Sequence, residues 1–146
     1  YAGEELLLAG SSLWLWIDLH TRTLARVPAE VAEGFPIGPT TSVHRPDLER
    51  QRYTPPAETA PGTEVSLRYA DFDANGHVNN TAFFDFLQTA LGQRGLPVHP
   101  LRVELQYQRE IPLGATAVQV PMEPGPEGIV FAIRGAGGNY AQGLVR

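Results

Sequence analysis

The apolar residues of this chain change their spacing several times, and each change marks an element. Residues 4–17, EELLLAGSSLWLWI, place Leu6, Leu8, Trp14 and Trp16 on one parity and Leu7, Leu13, Leu15 and Ile17 on the other. Apolar side chains on both parities predict one long strand covered on both faces, with the two tryptophans in a core. DLHTRT then turns, and PAEVAEGF predicts a short helix with Pro28 in its first turn. Residues 34–62 change character: Pro36, Pro39, Pro46, Pro55, Pro56 and Pro61 interrupt a stretch with little periodicity. It reads as an extended linker over a surface, joining two units.

From Thr63 a denser pattern begins. TEVSLRY alternates as a strand, and Phe83, Phe86, Leu87, Ala90 and Leu91 form one stripe of a helix over about residues 80–94, stopped by Gly95 and Pro97. LRVELQYQRE alternates Leu101, Val103, Leu105 and Tyr107 against Arg102, Glu104, Gln106 and Gln108, which puts the second set on a solvent face. ATAVQVPM, the turn EPGPEG, IVFAIR, the turn GAGGN and YAQGLVR follow. The sum is one strand, a long helix and four strands in meander: an α+β layer with the helix covering one sheet face. No solenoid repeat is present.

Composition narrows the chemistry. With 146 residues there is room for one domain and part of a second, and 42% apolar with 18% charged residues is globular. The net charge of −5 argues against a nucleic-acid or anionic-membrane surface, and no apolar run is long enough to span a bilayer. A soluble, cytoplasmic protein is the expectation. The chain has no cysteine, which excludes thiol nucleophiles, disulfides and thiolate zinc sites. All 11 basic residues are arginine, so Schiff-base chemistry and a lysine phosphate loop are excluded as well. No metal or cofactor is expected. Position 1 is Tyr, so the chain is expected to have been processed or trimmed, or to lack its beginning.

Between strand and helix lies RYADFDANGHVNN, with Asp71, Asp73, Asn75, His77, Asn79 and Asn80 in ten residues. Turn and cap chemistry accounts for part of this: Asn79, Asn80 or Thr81 caps the helix, and Asp71, Asp73, Asn75 and Gly76 are turn formers, with Asn75-Gly76 a strong turn signal. His77 is not explained that way. A helix N-terminus also offers free N–H groups and a positive dipole end to a developing oxyanion, and the carboxylate, amide and imidazole beside it suit the handling of a water.

These residues carry a resemblance. DFDANGHVNNTAFFDFLQTAL resembles the Asp-x-Asp-x-Asn-x-His-Val-Asn-Asn segment of the acyl-acyl carrier protein thioesterases of plants and bacteria, enzymes with two hot-dog domains in one chain. AGSSLWLWIDLHTRTLARVPAEV is similar to the segment closing the family's first domain, and LQYQREIPLG to its Tyr-x-Arg-Glu strand. Three segments match in order along the chain. The resemblance implies a hot-dog fold: residues 1–27 as the closing strand region of a first, incomplete hot-dog domain, 28–62 as a linker, and 63–146 as a complete C-terminal hot-dog thioesterase domain.

It also implies roles. Asp73, Asn75, His77 and Glu110 match the family's catalytic positions, with Val78, Asn79, Asn80 and Phe83 at the substrate. Glu110 activates a water that Asn75 and His77 position, Asp73 holds Asn75 or His77, and N–H groups near residues 77–80 receive the carbonyl oxygen. The position after Glu110, often cysteine in the family, is Ile111, so a Cys–His–Asn mechanism cannot operate. The related 4-hydroxybenzoyl-CoA thioesterases use an aspartate of this loop as nucleophile or base, which leaves Asp73 a covalent alternative. Asp71 is taken as structural. The strand parity of Glu110 is that of Glu104 and Gln106, which admits a surface charge paired to Arg109 or Arg102. The helix stripe flanks an acyl slot or fills an ordinary core, and Arg94 and Arg102 are candidates for docking an acidic carrier protein. The expected partners are acyl carrier protein or acyl-CoA, with no nucleic acid and no membrane. The expected assembly is a homodimer, or pairing with a preceding hot-dog domain. The rival functions are a hot-dog hydratase or dehydratase and a non-catalytic acyl-binding domain.

Overall fold

The computed structural model describes residues 12, 14–21, 23–34, 52–99 and 102–146. The chain divides into two compact units, Tyr1–Gln51 and Arg52–Arg146. In the first, β1 (Ile17–Asp18) pairs antiparallel with β2 (Thr23–Leu24). The Asp18 carboxylate closes their turn by accepting the N–H groups of His20 and Thr21 at 2.8 and 2.9 Å. Helix α1 (Ala29–Glu33) follows Pro28. Most of the strand expected over 4–17 lies outside the described residues. Trp14 and Trp16 are described, and they correct the expectation of a core role: they are outside strand structure and 79% and 41% exposed. A two-residue hairpin and a five-residue helix have too little apolar surface to cover an indole.

The second unit is one antiparallel sheet and one long helix. Its strands are β3 (Gly62–Ser66), β4 (Val103–Tyr107), β5 (Ala117–Gly125), β6 (Gly128–Gly135) and β7 (Gly138–Val145), in the order β3-β5-β6-β7-β4. The expected four-strand meander is therefore only partly present. Strands β5, β6 and β7 form it, whereas β4 joins the outside of β7 and the chain returns to lay β5 beside β3. Alternating antiparallel pairings make β3 and β4 run the same way at opposite edges, and strands so related cannot be joined by a hairpin. Helix α2 (Ala82–Gln93) is the crossover.

The helix stripe read from the sequence is the core-facing side: Phe83, Phe86, Leu87, Ala90 and Leu91 are all buried. They pack with Val65, Val118, Val120, Met122, Phe131, Ile133 and Val145 from the strands. Each large side chain so placed contributes about 1.5–3 kcal/mol of transfer free energy. The helix ends as its sequence predicts. Gly95 adopts φ +67°, its N–H bonds the Gly92 carbonyl, and the Leu96 N–H returns to the Leu91 carbonyl, the paired closure that a left-handed glycine allows.

The other sheet face is covered by the chain itself. Residues 52–57 cross it extended, tied to four strands in turn. The Tyr53 hydroxyl donates to Glu104 of β4, Gln142 of β7 donates to the Tyr53 carbonyl, and Arg134 of β6 donates to the Pro56 and Ala57 carbonyls. The Ala57 N–H reaches Glu123 of β5 at 3.1 Å. Glu104 therefore departs from the solvent face read from its parity: its side chain is 12% exposed, and Arg102 and Arg146 flank it as ion-pair partners. Burial, then the neighbouring carboxylate, pushes the Tyr53 hydroxyl well above its ordinary range.

Gly143 stands in β7 opposite Leu105 and Phe131, where a Cβ would lie 1.9 Å from the Glu104 carbonyl oxygen and 2.9 Å from the Phe131 ring. A backbone carbonyl cannot rotate away. Gly143→Ala is expected to destabilise the second unit by about 3 kcal/mol, measured as a lower urea midpoint with little change in slope.

Candidate active site

The site is assembled from the loop before α2 and the segment after β4. A 3-10 turn at Tyr69–Asp71 follows β3. Asp71, 3% exposed, is the anchor of this loop. Its Oδ1 accepts from Arg68 Nε and Nη2 at 3.0 and 2.6 Å, its Oδ2 from the Arg68 N–H at 2.7 Å, and its carbonyl from the Asn79 N–H at 2.8 Å. Burial alone would raise the carboxyl, but the Arg68 guanidinium and backbone donor outweigh it, and the group is held below its usual range. Asp71 is structural, as its surroundings require.

Residues 72–78 form a tight loop closed by a bridge between Phe72 and Val78. The Asp73 N–H bonds the His77 carbonyl at 2.8 Å, and Gly76 takes φ +76° at the corner. Asp73 Oδ1 accepts the N–H groups of Asn75 and His77 at 2.8 and 3.4 Å. The Asn75 backbone donor is the main reason its carboxyl lies below the ordinary value. Asp73 thus touches both neighbours through their backbone, and only its Oδ2 meets the Asn75 amide, at 3.5 Å. The side-chain cap expected at the helix entry is not formed: Thr81, the N-cap, makes no side-chain cap bond, and Asn79 Oδ1 instead accepts the Thr81 N–H at 2.9 Å and its hydroxyl at 2.8 Å, closing the turn ahead of the helix.

A second segment runs antiparallel to this loop. Val78 N–H bonds the Ile111 carbonyl at 3.0 Å, Leu113 N–H bonds the Gly76 carbonyl at 2.9 Å, and His77 bridges Pro112. Buried Ile111 seats the segment in the core. The result brings His77 Nε2 to 3.1 Å from Glu110 Oε2, with the two side chains 38% and 62% exposed. Glu110 pairs with neither Arg109 nor Arg102, which bond the Gly137 carbonyl and Glu104. Strand parity is no guide to it, because β4 ends at Tyr107.

The remaining expected residues divide by burial. Val78 and Phe83 face the core and support the loop from behind, whereas Asn79 and Asn80 are exposed. Of the N–H groups of residues 77–80, His77, Val78 and Asn79 donate to Asp73, Ile111 and Asp71, which leaves that of Asn80 among these four. The reading that several of them receive a carbonyl oxygen is corrected accordingly. Tyr107, read only as an apolar strand residue, donates its hydroxyl to the Asn80 carbonyl at 2.7 Å and stacks edge-on against Phe83, with ring centres 5.1 Å apart. Its alternating position marked it as inward-facing, but nothing local signalled the hydroxyl contact.

Phe83, Phe86, Leu87 and Leu91 are all buried in the core, and Leu87 and Leu91 also border a cleft. An apolar cleft of about 170 Å³ does run along the flank of α2, lined by Phe84, Leu87, Leu91, Val98 and Val103. It does not reach His77 or Glu110. Arg94, a docking candidate by position, bonds the Met122 carbonyl, and Arg102, the other, pairs with Glu104. Among the described residues no group of three or more His, Asp or Glu side chains is placed to hold a metal.

The family model of the acyl-ACP thioesterase C-terminal domain matches residues 56–132, more than half of the chain. The chain belongs to this family. A chloroplastic acyl-[acyl-carrier-protein] hydrolase of Cuphea viscosissima is 28% identical over 130 residues, covering 85% of this chain and 31% of that protein. A chloroplastic oleoyl-acyl carrier protein thioesterase of Arabidopsis thaliana is 26% identical over 146 residues, covering 94% and 40%. The chain thus spans a third to two-fifths of these relatives' length. Among solved structures, an acyl-ACP thioesterase from Bacteroides thetaiotaomicron shares 18% identity at a TM-score of 0.65, covering 88% of this chain and 51% of that one. The 12:0-ACP thioesterase from Umbellularia californica shares 20% at 0.60, covering 89% and 52%. The fold of this family member is accordingly the α+β hot-dog, an antiparallel sheet packed around a long helix.

Acid stability follows from the anchor. A carboxyl whose folded pKa is lowered stabilises the fold above its unfolded value and loses that contribution as pH falls through the folded one. Stability is expected to hold above the ordinary value of 3.8 and to fall on acidification below it. Asp71→Asn should cost about 1–3 kcal/mol at neutral pH and partly flatten the acid limb, leaving the share due to Asp73. Urea unfolding across this range checks it.

Proposed function

We propose that this chain carries the catalytic residues of a thioester hydrolase that releases fatty acids from acyl carrier protein or coenzyme A. The observation that supports this most is the 3.1 Å contact between His77 and Glu110 at a solvent-accessible edge of the fold. It joins an imidazole and a carboxylate, the two side chains best suited to moving a proton near neutral pH, beside the N-terminus of α2.

In the proposed reaction Glu110, steadied by His77, takes a proton from water while the water oxygen bonds to the thioester carbonyl carbon. The carbonyl oxygen gathers negative charge at the Asn80 N–H and the exposed Asn75 amide. Collapse of this intermediate breaks the carbon–sulfur bond, and the departing thiolate takes the proton back from Glu110. Asp73 serves as the organiser of the loop. Its Oδ1 already accepts two backbone N–H groups, which favours the water route over attack by Asp73 itself.

Both edges of the described sheet, β3 and β4, lack a further strand among the described residues. We propose that the acyl tail is enclosed only on pairing, either with a second copy or with a preceding hot-dog domain. The setting is proposed to be cytoplasmic fatty acid biosynthesis.

Glu110→Gln and His77→Ala are each expected to lower kcat for thiol release about a hundredfold or more with the fold intact, and Asn75→Ala to lower it less. Release is read with a thiol reagent, to which this chain contributes no background because it has no cysteine. Unchanged rates in both variants would remove the proposed chemistry. Absorbance change with enoyl thioesters, without thiol release, would point to a hydratase. Acyl binding without turnover would point to a binding domain.

A further inference from the structure

Between β4 and Ile111 the chain changes partners, and Glu110 sits at the change. On one side the N–H groups of Gln108 and Arg109 both donate to the Tyr140 carbonyl, at 2.8 and 3.2 Å. On the other, the Ile111 carbonyl accepts from Val78. Among the described residues the Glu110 side chain has His77 as its one polar partner, and an exposed contact of this kind holds poorly unless its backbone is fixed.

Arg109 supplies a further tie. Its Nη1 donates to the Gly137 carbonyl at the tip of the β6–β7 hairpin, at 2.7 Å. That carbonyl is well seated. Gly137 N–H meets the Tyr140 hydroxyl at 3.3 Å, and a Cβ on Gly135 would come within 2.6 Å of the Tyr140 ring, so the turn wraps the ring without spare room. The hairpin tip, Tyr140 and the 108–109 peptide make one cluster, held through both backbone and side chain of the residue before Glu110. The contact has an electrostatic side too. A guanidinium next to Glu110 in sequence would compete with His77 for the carboxylate, and bonding to Gly137 directs it elsewhere.

We propose that Arg109 is a positioning residue: its bond to the Gly137 carbonyl fixes the peptide from which Glu110 reaches His77 and keeps its own charge off that carboxylate. This rests on the reading of Glu110 given above. The test compares kcat and KM for thiol release from an acyl-CoA in the wild type, R109A, R109K, E110Q and R109A/E110Q, each normalised to the folded fraction. R109A is expected to lower kcat about tenfold with KM within about twofold. R109K, which keeps a donor for Gly137, recovers most of the loss. The double variant is no slower than E110Q, because Arg109 acts only through Glu110. A wild-type rate in R109A, an unrecovered loss in R109K, or additive losses in the double variant, with E110Q slow, would overturn the role of Arg109 alone. A wild-type rate in E110Q would instead overturn the reading of Glu110 and this proposal with it.

Discussion

Strands β3 and β4 run in the same direction at opposite edges of one sheet, and only a crossover can connect them. That requirement makes α2 lie across the sheet face, which in turn makes its apolar stripe the core. The rest of the second unit follows from this one crossing. The helix must begin near the end of β3, so the loop before it has to turn sharply, with Val78 its buried tie to the core. The chain must also return from β4 to β5, which carries residues 108–113 past that loop. The site lies where the outgoing and returning segments meet.

Polar residues do the work where the chain turns. Buried Asp71 fixes the loop by gathering the Arg68 guanidinium and two backbone groups, while Asp73 gathers the N–H groups of Asn75 and His77. Both carboxylates stay ionised because donors already surround them. Their effect is to hold His77 in place, leaving its Nε2 toward Glu110. Turn chemistry and site chemistry are the same residues here, used in series: the aspartates shape the loop, and the loop presents the imidazole.

The two sheet faces are closed by different physics. One is closed by hydrophobic burial under α2. The other is closed by residues 52–57, whose carbonyls, lacking strand partners, are met by Gln142 and Arg134 side chains, with Tyr53 covering Glu104. A backbone laid over a sheet has to find such partners or stay in water. This is why a strand that alternates apolar and polar residues along β4 nevertheless has both faces shielded.

Much of this was legible in the residues alone. Period-3.6 spacing of Phe83, Phe86, Leu87, Ala90 and Leu91 defined α2 and its buried side, and Gly95 defined its end, because helix periodicity and a left-handed glycine are local properties. The turn residues of 71–80 were equally plain, and the family resemblance singled out Asp73, Asn75, His77 and Glu110. What the residues could not determine was long-range pairing. The place of β4 beside β7, the enclosure of Glu104, the Tyr107 hydroxyl at Asn80 and the turn of Arg109 toward Gly137 all depend on which segments come together across tens of residues. Glu110 shows the division best. Its residue type and neighbours were visible from the start, but its contact with His77 exists only because two loops from opposite ends of the helix crossover share a pair of backbone hydrogen bonds.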